Sequence, residues 1–255
     1  MNPPLASAPL EPLVATRHEL LQTQLAEISK LAGGLAHEIR NPLSTIGLNL
    51  ELLEEDLTPG ESPRDRRMLR KVQTIRKECA HLEKILESFL QFSRPGCLET
   101  QLTDLNEVIQ EFVDFFQAES ADRQMEIRLH LAASLPKVQL DRRLWKQVLA
   151  NLARNATEAM PDGGTLEFLT YLSSSGEQVI LELIDTGKGM DATTQQRMFD
   201  AFFSTRAGGS GLGLPTVRKI VMEHGGRVEC ESAVGRGTRF RILLPACTET
   251  TSERP

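Results

Sequence analysis

The sequence predicts two folds in series. An antiparallel pair of long helices dimerises into a four-helix bundle, and an α+β sandwich follows, with helices on one face of a mixed sheet. Three observations carry this. Apolar residues recur at alternating steps of four and three along two stretches, from Leu21 to Leu53 and from Met68 to Phe89, which is the seam of a helix packed against other helices. The run Thr58-Pro-Gly-Glu-Ser-Pro63 breaks the pattern between them, as a turn does. Beyond Ser93-Arg-Pro-Gly96 the apolar period shifts between two and 3.6, so strands and helices mix from there on.

The bulk numbers fit that division. A chain of 255 residues has room for one large or two modest domains. A formal charge of −6 argues against a general nucleic-acid binder. No run approaches the ~18 apolar residues of a membrane span, and the N-terminus lacks a charged-then-apolar signal peptide. Cys79, Cys97, Cys230 and Cys247 are scattered with no C-x-x-C. They read as reduced thiols of a cytoplasmic protein, not as a disulfide frame or zinc site.

Residues 1–13 read as a disordered lead-in, since four prolines fall among the first twelve residues. The hairpin domain then spans 14–94. Its first seam is Leu21, Leu25, Ile28, Ala32, Leu35, Ile39, Leu43, Ile46, Leu50 and Leu53. His37 lies two residues past Leu35, roughly 200° around the helix, and so faces away from the seam. Asn41 and Ser44 share its face, and Glu38 stands about 100° to one side. Two steps of four in a row, Leu35 to Ile39 to Leu43, form a stutter that unwinds a supercoil, and Pro42 inside it predicts a bend. The second seam is Met68, Val72, Ile75, Cys79, Leu82, Leu86 and Phe89. One hairpin alone exposes too much of this apolar surface. At roughly 1.5–3 kcal/mol for each buried Leu or Ile, a two-fold homodimer is the expected remedy. His18, His81, His130 and His224 lie outside any motif and are expected to be solvent-exposed.

Residues 95–247 form the second domain, and 248–255 a flexible polar tail. Asp104 caps a helix from Leu105 to Ala118, and a strand runs from Met125 to Leu131. Asp141 caps a helix with Leu144, Val148, Leu152 and Ala156 on its apolar face. Strands at Thr165–Leu172 and Val179–Ile184, a helix at about Leu212–Glu223, and strands at Arg227–Glu231 and Thr238–Leu244 complete it.

Three local patterns in this domain suit a nucleotide. Asn151 and Asn155 are four apart on one helix face, and an amide oxygen is a usable Mg²⁺ ligand. Asp185-Thr-Gly-Lys-Gly189 directly follows a strand. Its carboxylate can accept a hydrogen bond from an exocyclic amine, while Gly187 and Gly189 let a flat ring approach the backbone. Gly208-Gly-Ser-Gly-Leu-Gly213 opens a helix, whose unpaired N–H groups and positive dipole end attract phosphate. Each pattern alone also reads as ordinary structure: helix-end asparagines, a plain turn, a glycine string.

Taken in order, the motifs resemble those of two-component sensor histidine kinases. L-A-H-E-I-R-N-P-L, residues 35–43, resembles the phosphoacceptor box, and N-L-A-R-N-A-T-E-A-M the N-box. D-T-G-K-G resembles the G1 box, F-D-A-F-F-S-T-R the F-box, and G-G-S-G-L-G the G2 box. Gly235-Arg-Gly-Thr-Arg-Phe resembles the last box. The likeness covers about Leu31 to Pro245, and F-F-S-T-R is similar to the nitrogen-regulator subtype. Pro215 departs from the family's small residue, within a first helical turn that tolerates proline.

The resemblance implies an ATPase sandwich of the GHKL (Bergerat) type, with ATP and Mg²⁺ as cofactors. It makes His37 the phosphoacceptor, with Glu38 fixing its tautomer and taking its proton. Asn41 would orient a water against the partner's phospho-aspartate in a phosphatase reaction. Asn155 would hold the metal, with Asn151 beside it and Arg154 and Glu158 near the phosphates or metal. Asp185 would read the adenine amino group, and Thr238 would approach adenine through water. Arg206, Ser210, Gly211, Leu212 and Gly213 would surround the phosphates. The implied partner is a response regulator receiver domain. Two other readings stand beside it: an ATP-driven machine of the gyrase or chaperone type, and an inactive scaffold that only binds the regulator.

Overall fold

The computed structural model describes residues 39–55, 63–93, 98–121, 124–206 and 209–247. The lead-in, the helical pattern before residue 39, His37, Glu38, the turn residues Thr58–Ser62, the stop at Arg94–Gly96 and the tail 248–255 lie outside the described residues. The chain divides into two compact units between Gly96 and Cys97.

In the first unit, helix α1 covers 39–55 and helix α2 covers Pro63–Ser93. The seam of each helix splits into two rows. Leu43 and Leu50 of α1 bury against Val72 and Cys79 of α2. Members of each pair stand seven residues apart, two helical turns on one face. The intervening positions Ile39, Ile46 and Leu53, with Met68, Ile75 and Leu82, remain between 39% and 49% exposed. Near the end of α1, Glu54 accepts a hydrogen bond from Gln73 at 2.9 Å and pairs with Arg76 at 3.0 Å.

The second unit runs β1 (Gln101–Thr103), α3 (Leu105–Ala121), β2 (Met125–Leu131), β3 (Val138–Leu140), α4 (Arg142–Ala159), β4 (Gly164–Leu172), β5 (Gln178–Asp185), α5 (Ala192–Arg197), α6 (Gly213–Glu223), β6 (Arg227–Ser232) and β7 (Thr238–Pro245). Five strands form one sheet in the order β2-β4-β5-β7-β6, while β1 pairs with β3 apart from it. Only β2 and β4 pair in parallel within that sheet, and α4 lies in the crossover that a parallel pair requires. The core lies between the sheet and α3, α4 and α6. Val108, Ile109 and Val113, then Trp145, Val148, Leu149 and Leu152, then Val217 and Val221 meet Leu166, Phe168, Leu181 and Ile242. Both expected caps form: Asp104 Oδ1 accepts from the Asn106 N–H at 2.8 Å, and Asp141 Oδ1 from the Leu144 N–H at 3.1 Å.

Three elements exceed the sequence reading. Strands β1 and β3 have three residues each, too short to show an alternation, and they form because they pair with each other. Helix α5 has six residues capped by Asp191, under two turns and so too short for a 3.6-residue period to register.

His224 is a correction. It is 9% exposed, against the expected solvent-exposed side chain. Its Nδ1 lies 2.7 Å from the Ile220 carbonyl, so Nδ1 carries the proton. Nε2 then accepts from the Asp141 N–H at 2.9 Å, and the ring stands edge-on to Trp145. The imidazole thus joins the C-terminal end of α6 to the N-cap of α4. Truncating it leaves a buried N–H without an acceptor. His224→Ala should cost about 1–3 kcal/mol of stability in urea unfolding, whereas His130→Ala, at an exposed site, should leave the transition in place.

Candidate functional site

Strand β5 is buried on both faces, and successive side chains point to opposite sides, so Val179, Leu181, Leu183 and Asp185 share the face whose apolar members pack into the core with the helices. That period carries a carboxylate to the end of an otherwise apolar row. Register then pairs Asp185 with Thr238 of β7. Asp185 Oδ1 accepts from the Gly187 N–H at 2.9 Å and from the Thr238 N–H at 3.2 Å. No described residue bonds Oδ2, which is left to accept from a ligand. The residue is 6% exposed, and burial holds its carboxyl above the ordinary aspartate range against the pull of the two N–H groups.

Gly187 is needed for space. A Cβ there would stand 2.7 Å from the Ala159 Cβ and 2.8 Å from the Ala159 carbonyl oxygen, while the Lys188 N–H donates to that same oxygen at 3.1 Å. The loop is therefore closed onto the end of α4. Gly189 turns nearby with its backbone against Ala233. Below Thr238, the sequence reading missed a hub. Ser232 Oγ lies 3.0 Å from Thr238 Oγ1, donates to the Gly237 carbonyl at 2.8 Å, and accepts from the Met190 N–H at 2.9 Å. Gln195 Nε2 donates to the carbonyls of Met190 and Ser232. Ser232 pairs with Thr238 across the β6/β7 ladder, a relation that only strand register reveals.

The other end of the site lies between α4 and α6. Asn151 and Asn155 are half-buried, one turn apart. Asn151 Oδ1 is 3.6 Å from where a Cβ on Gly213 would stand, so Asn151 faces the first turn of α6. That turn has no side-chain cap at Leu212. Ser210 Oγ makes only a long 3.4 Å contact with the Leu212 N–H. Open N–H groups at a helix start are what an anion seeks. Pro215, buried in that turn, removes one donor without breaking the helix.

Gly211, at φ +66°, accepts at its carbonyl from the Phe202 N–H at 3.0 Å, and a Cβ on it would collide with the Phe202 backbone at 2.4 Å. The two boxes are thereby pinned together. Phe199 packs on the core, Phe203 is half-buried under the Arg197 guanidinium at 4.3 Å, and Phe202 is 61% exposed. Arg206 Nη1 donates to Asn155 Oδ1 at 3.1 Å, Nη2 donates to the Asn155 carbonyl at 3.2 Å, and the same guanidinium pairs with Glu158. Asn155 Nδ2 is buried without a partner among the described residues.

The structure thus brings together Asp185, Gly187 and Thr238 at one end, and Asn151, Asn155, Arg206 and Gly213 at the other. Arg154 points to solvent. Asn41 belongs to the first unit, exposed on α1, and its carbonyl accepts from Thr45 Oγ1 at 3.0 Å. Chemically, the second unit offers a carboxylate for an amine, an uncapped helix start for phosphate, and an amide oxygen for a hard cation. Among the described residues no three His, Cys, Asp or Glu side chains cluster as a metal cage. A single amide oxygen with phosphate oxygens and water suits Mg²⁺, and the unpartnered Asn155 Nδ2 is a donor left for an acceptor such as a phosphate oxygen. Cys230 stands close enough to feel the Asp185 charge, but burial first, then Asp185 and Glu231, push its thiol up to about 12, so it is a poor nucleophile.

Two family models match. The His Kinase A (phospho-acceptor) domain matches residues 27–98, and the histidine kinase-, DNA gyrase B- and HSP90-like ATPase matches residues 140–248. The sensor histidine kinase ZraS of Klebsiella oxytoca is 35% identical over 232 residues, 91% of this chain and 49% of that protein. The signal transduction histidine-protein kinase AtoS of Escherichia coli is 32% identical over 90% of this chain and 37% of its own length. The chain therefore spans about half or less of these curated relatives. Among solved structures, histidine kinase ThkA in complex with the response regulator protein TrrA superposes with a TM-score of 0.65 at 26% identity, covering 94% of this chain and 68% of that one.

The raised Asp185 carboxyl carries a sign. A folded-state value above the unfolded one favours folding while the group is protonated, and that contribution is lost as pH rises through the folded value. At neutral pH the buried charge therefore opposes folding. Asp185→Asn, which keeps an Oδ1 for both N–H groups, should raise the urea midpoint of the ligand-free protein at pH 7. The gap to the natural chain should close as pH falls below the ordinary aspartate value of ~3.9. An unchanged midpoint at pH 7 would contradict the reading.

Proposed function

We propose that this chain, which belongs to the sensor histidine kinases of two-component signalling, phosphorylates its own His37 from ATP. It then passes the phosphoryl group to an aspartate of a response regulator. The observation that carries this is the two-ended site of the second unit joined in one chain to a histidine phosphoacceptor box. The division falls at residues 14–94 for the dimerisation and phosphoacceptor hairpin and 95–247 for the ATP-binding domain, a reading supported by the two compact units.

Each residue has a part. Asp185 Oδ2 accepts from the adenine amine, and Thr238 reaches the ring through water. The first turn of α6, with Ser210, Gly211, Leu212 and Gly213, cradles the phosphates, and Arg206 offsets their charge. Asn155 holds Mg²⁺, with Asn151 beside it. ATP supplies the transferable phosphoryl group when bound, and the metal neutralises its charge. Glu38 bonds one ring nitrogen of His37, which leaves the other as the neutral nucleophile, and takes the proton. Asn41, exposed on α1, orients water for dephosphorylation of the partner. ThkA in complex with TrrA supports a response regulator as that partner. ATP as donor puts this core in the cytoplasm, and no described helix is long and apolar enough to cross a membrane.

The split seam supports a homodimer. One hairpin buries only one of its two apolar rows, and a second copy covers the row of Ile39, Ile46, Leu53, Met68, Ile75 and Leu82. A charge in that row should separate the copies. Ile46→Arg with Ile75→Arg should sediment as a monomer where the natural chain sediments as a dimer, and equal masses would refute the covering role of that row.

Incubation with γ-labelled ATP and Mg²⁺ tests the reaction. The label should be acid-labile and alkali-stable, and His37→Gln should lose it by more than about a hundredfold, since no other group supplies the nucleophile. ATP bound but no label would favour the scaffold reading, and hydrolysis without label the ATPase machine.

A further inference from the structure

We infer that Glu158 is a positioning residue that latches Arg206 onto the metal seat, so that binding of Mg²⁺ with nucleotide must first displace this internal cation. The inference rests on the reading of Asn155 as the metal ligand and adds to it a competitor carried by the chain itself.

Three acceptors converge on one guanidinium: Asn155 Oδ1 at 3.1 Å, the Asn155 carbonyl at 3.2 Å, and the Glu158 carboxylate. Asn155 and Glu158 are three residues apart, neighbours on one face of α4. Helix α4 has no basic residue in its last turn. Its negative dipole end and Glu158 are therefore served by a cation from a distant segment. Arg206 is fixed from its own side as well, since its N–H donates to Ser204 Oγ at 3.1 Å.

A metal ion and a guanidinium cannot share Asn155 Oδ1, because two like charges would sit within hydrogen-bonding distance of one oxygen. Bonding to Arg206 also fixes the amide orientation and leaves Nδ2 buried without a partner among the described residues. The latched arrangement is thus adequate for Arg206 and imperfect for Asn155. When a metal takes Oδ1, Arg206 is released at the moment a phosphate arrives for it to meet. Glu158 decides how firmly the seat is held before then.

Calorimetric titration of the full chain with Mg²⁺–AMPPNP, and with adenosine in the absence of Mg²⁺, tests this through a double-mutant cycle. Glu158→Gln should tighten Mg²⁺–AMPPNP binding about threefold or more, a size set by a half-exposed ion pair. It should leave metal-free adenosine binding, which involves no phosphate or metal, unchanged, which a merely structural effect would not do. In an Arg206→Met background, Glu158→Gln should change nothing. If Glu158→Gln weakens binding in both backgrounds, Glu158 holds the metal itself and the latch is wrong. No change in the otherwise natural chain overturns it too. A natural chain that binds no nucleotide would overturn the functional reading, and the latch with it.

Discussion

The antiparallel contact between α4 and α6 is the constraint on which the site depends, and His224 closes one end of it. At 1.5 Å of rise per residue, Asn151 lies about 15 Å along α4 from Asp141, and Gly213 lies about 16 Å along α6 from His224. The hydrogen bond from the Asp141 N–H to the imidazole therefore sets the register in which Asn151 meets the first turn of α6. Trp145, fully buried against the same ring, gives the contact its apolar mass. A polar pin at one end and the proposed ligand site at the other share two rigid rods.

The sheet sets the opposite wall. Asp185 is on the helix-facing side because Val179, Leu181 and Leu183 are, and its bonds to the Gly187 and Thr238 N–H groups hold the carboxylate in place. Burial that makes this charge costly in the empty protein also keeps water from competing for its free oxygen. Stability is given up at the position where a ligand's amine would restore it. Arg206 at the other end has the same character, since its charge is satisfied by groups that a metal and phosphates would claim.

Much of this was legible in the sequence because it depends on short-range pattern. The seams from Ile39 to Leu53 and from Met68 to Phe89, the Asp104 and Asp141 caps, the five strands of the main sheet and the order of the glycine-rich turns all follow from spacings of two, three, four and seven. What escaped depends on contacts between distant residues. His224 is buried because a residue 83 positions away bonds it, and no local period around it announces that. The hub at Ser232 exists only once β6 and β7 are in register. Strands β1 and β3 define each other, and neither carries a signal alone. The split of each hairpin seam into a buried and an exposed row likewise needed the second helix to be in place, although both rows were present in the spacing.

A crystal structure of the chain with Mg²⁺ and AMPPNP would test the account most directly. The adenine amine should donate to Asp185 Oδ2, the metal should sit on Asn155 Oδ1, and Arg206 should have left Asn155 for the phosphates. Nucleotide bound elsewhere, or a metal held away from Asn155 with Arg206 still in place, would contradict it.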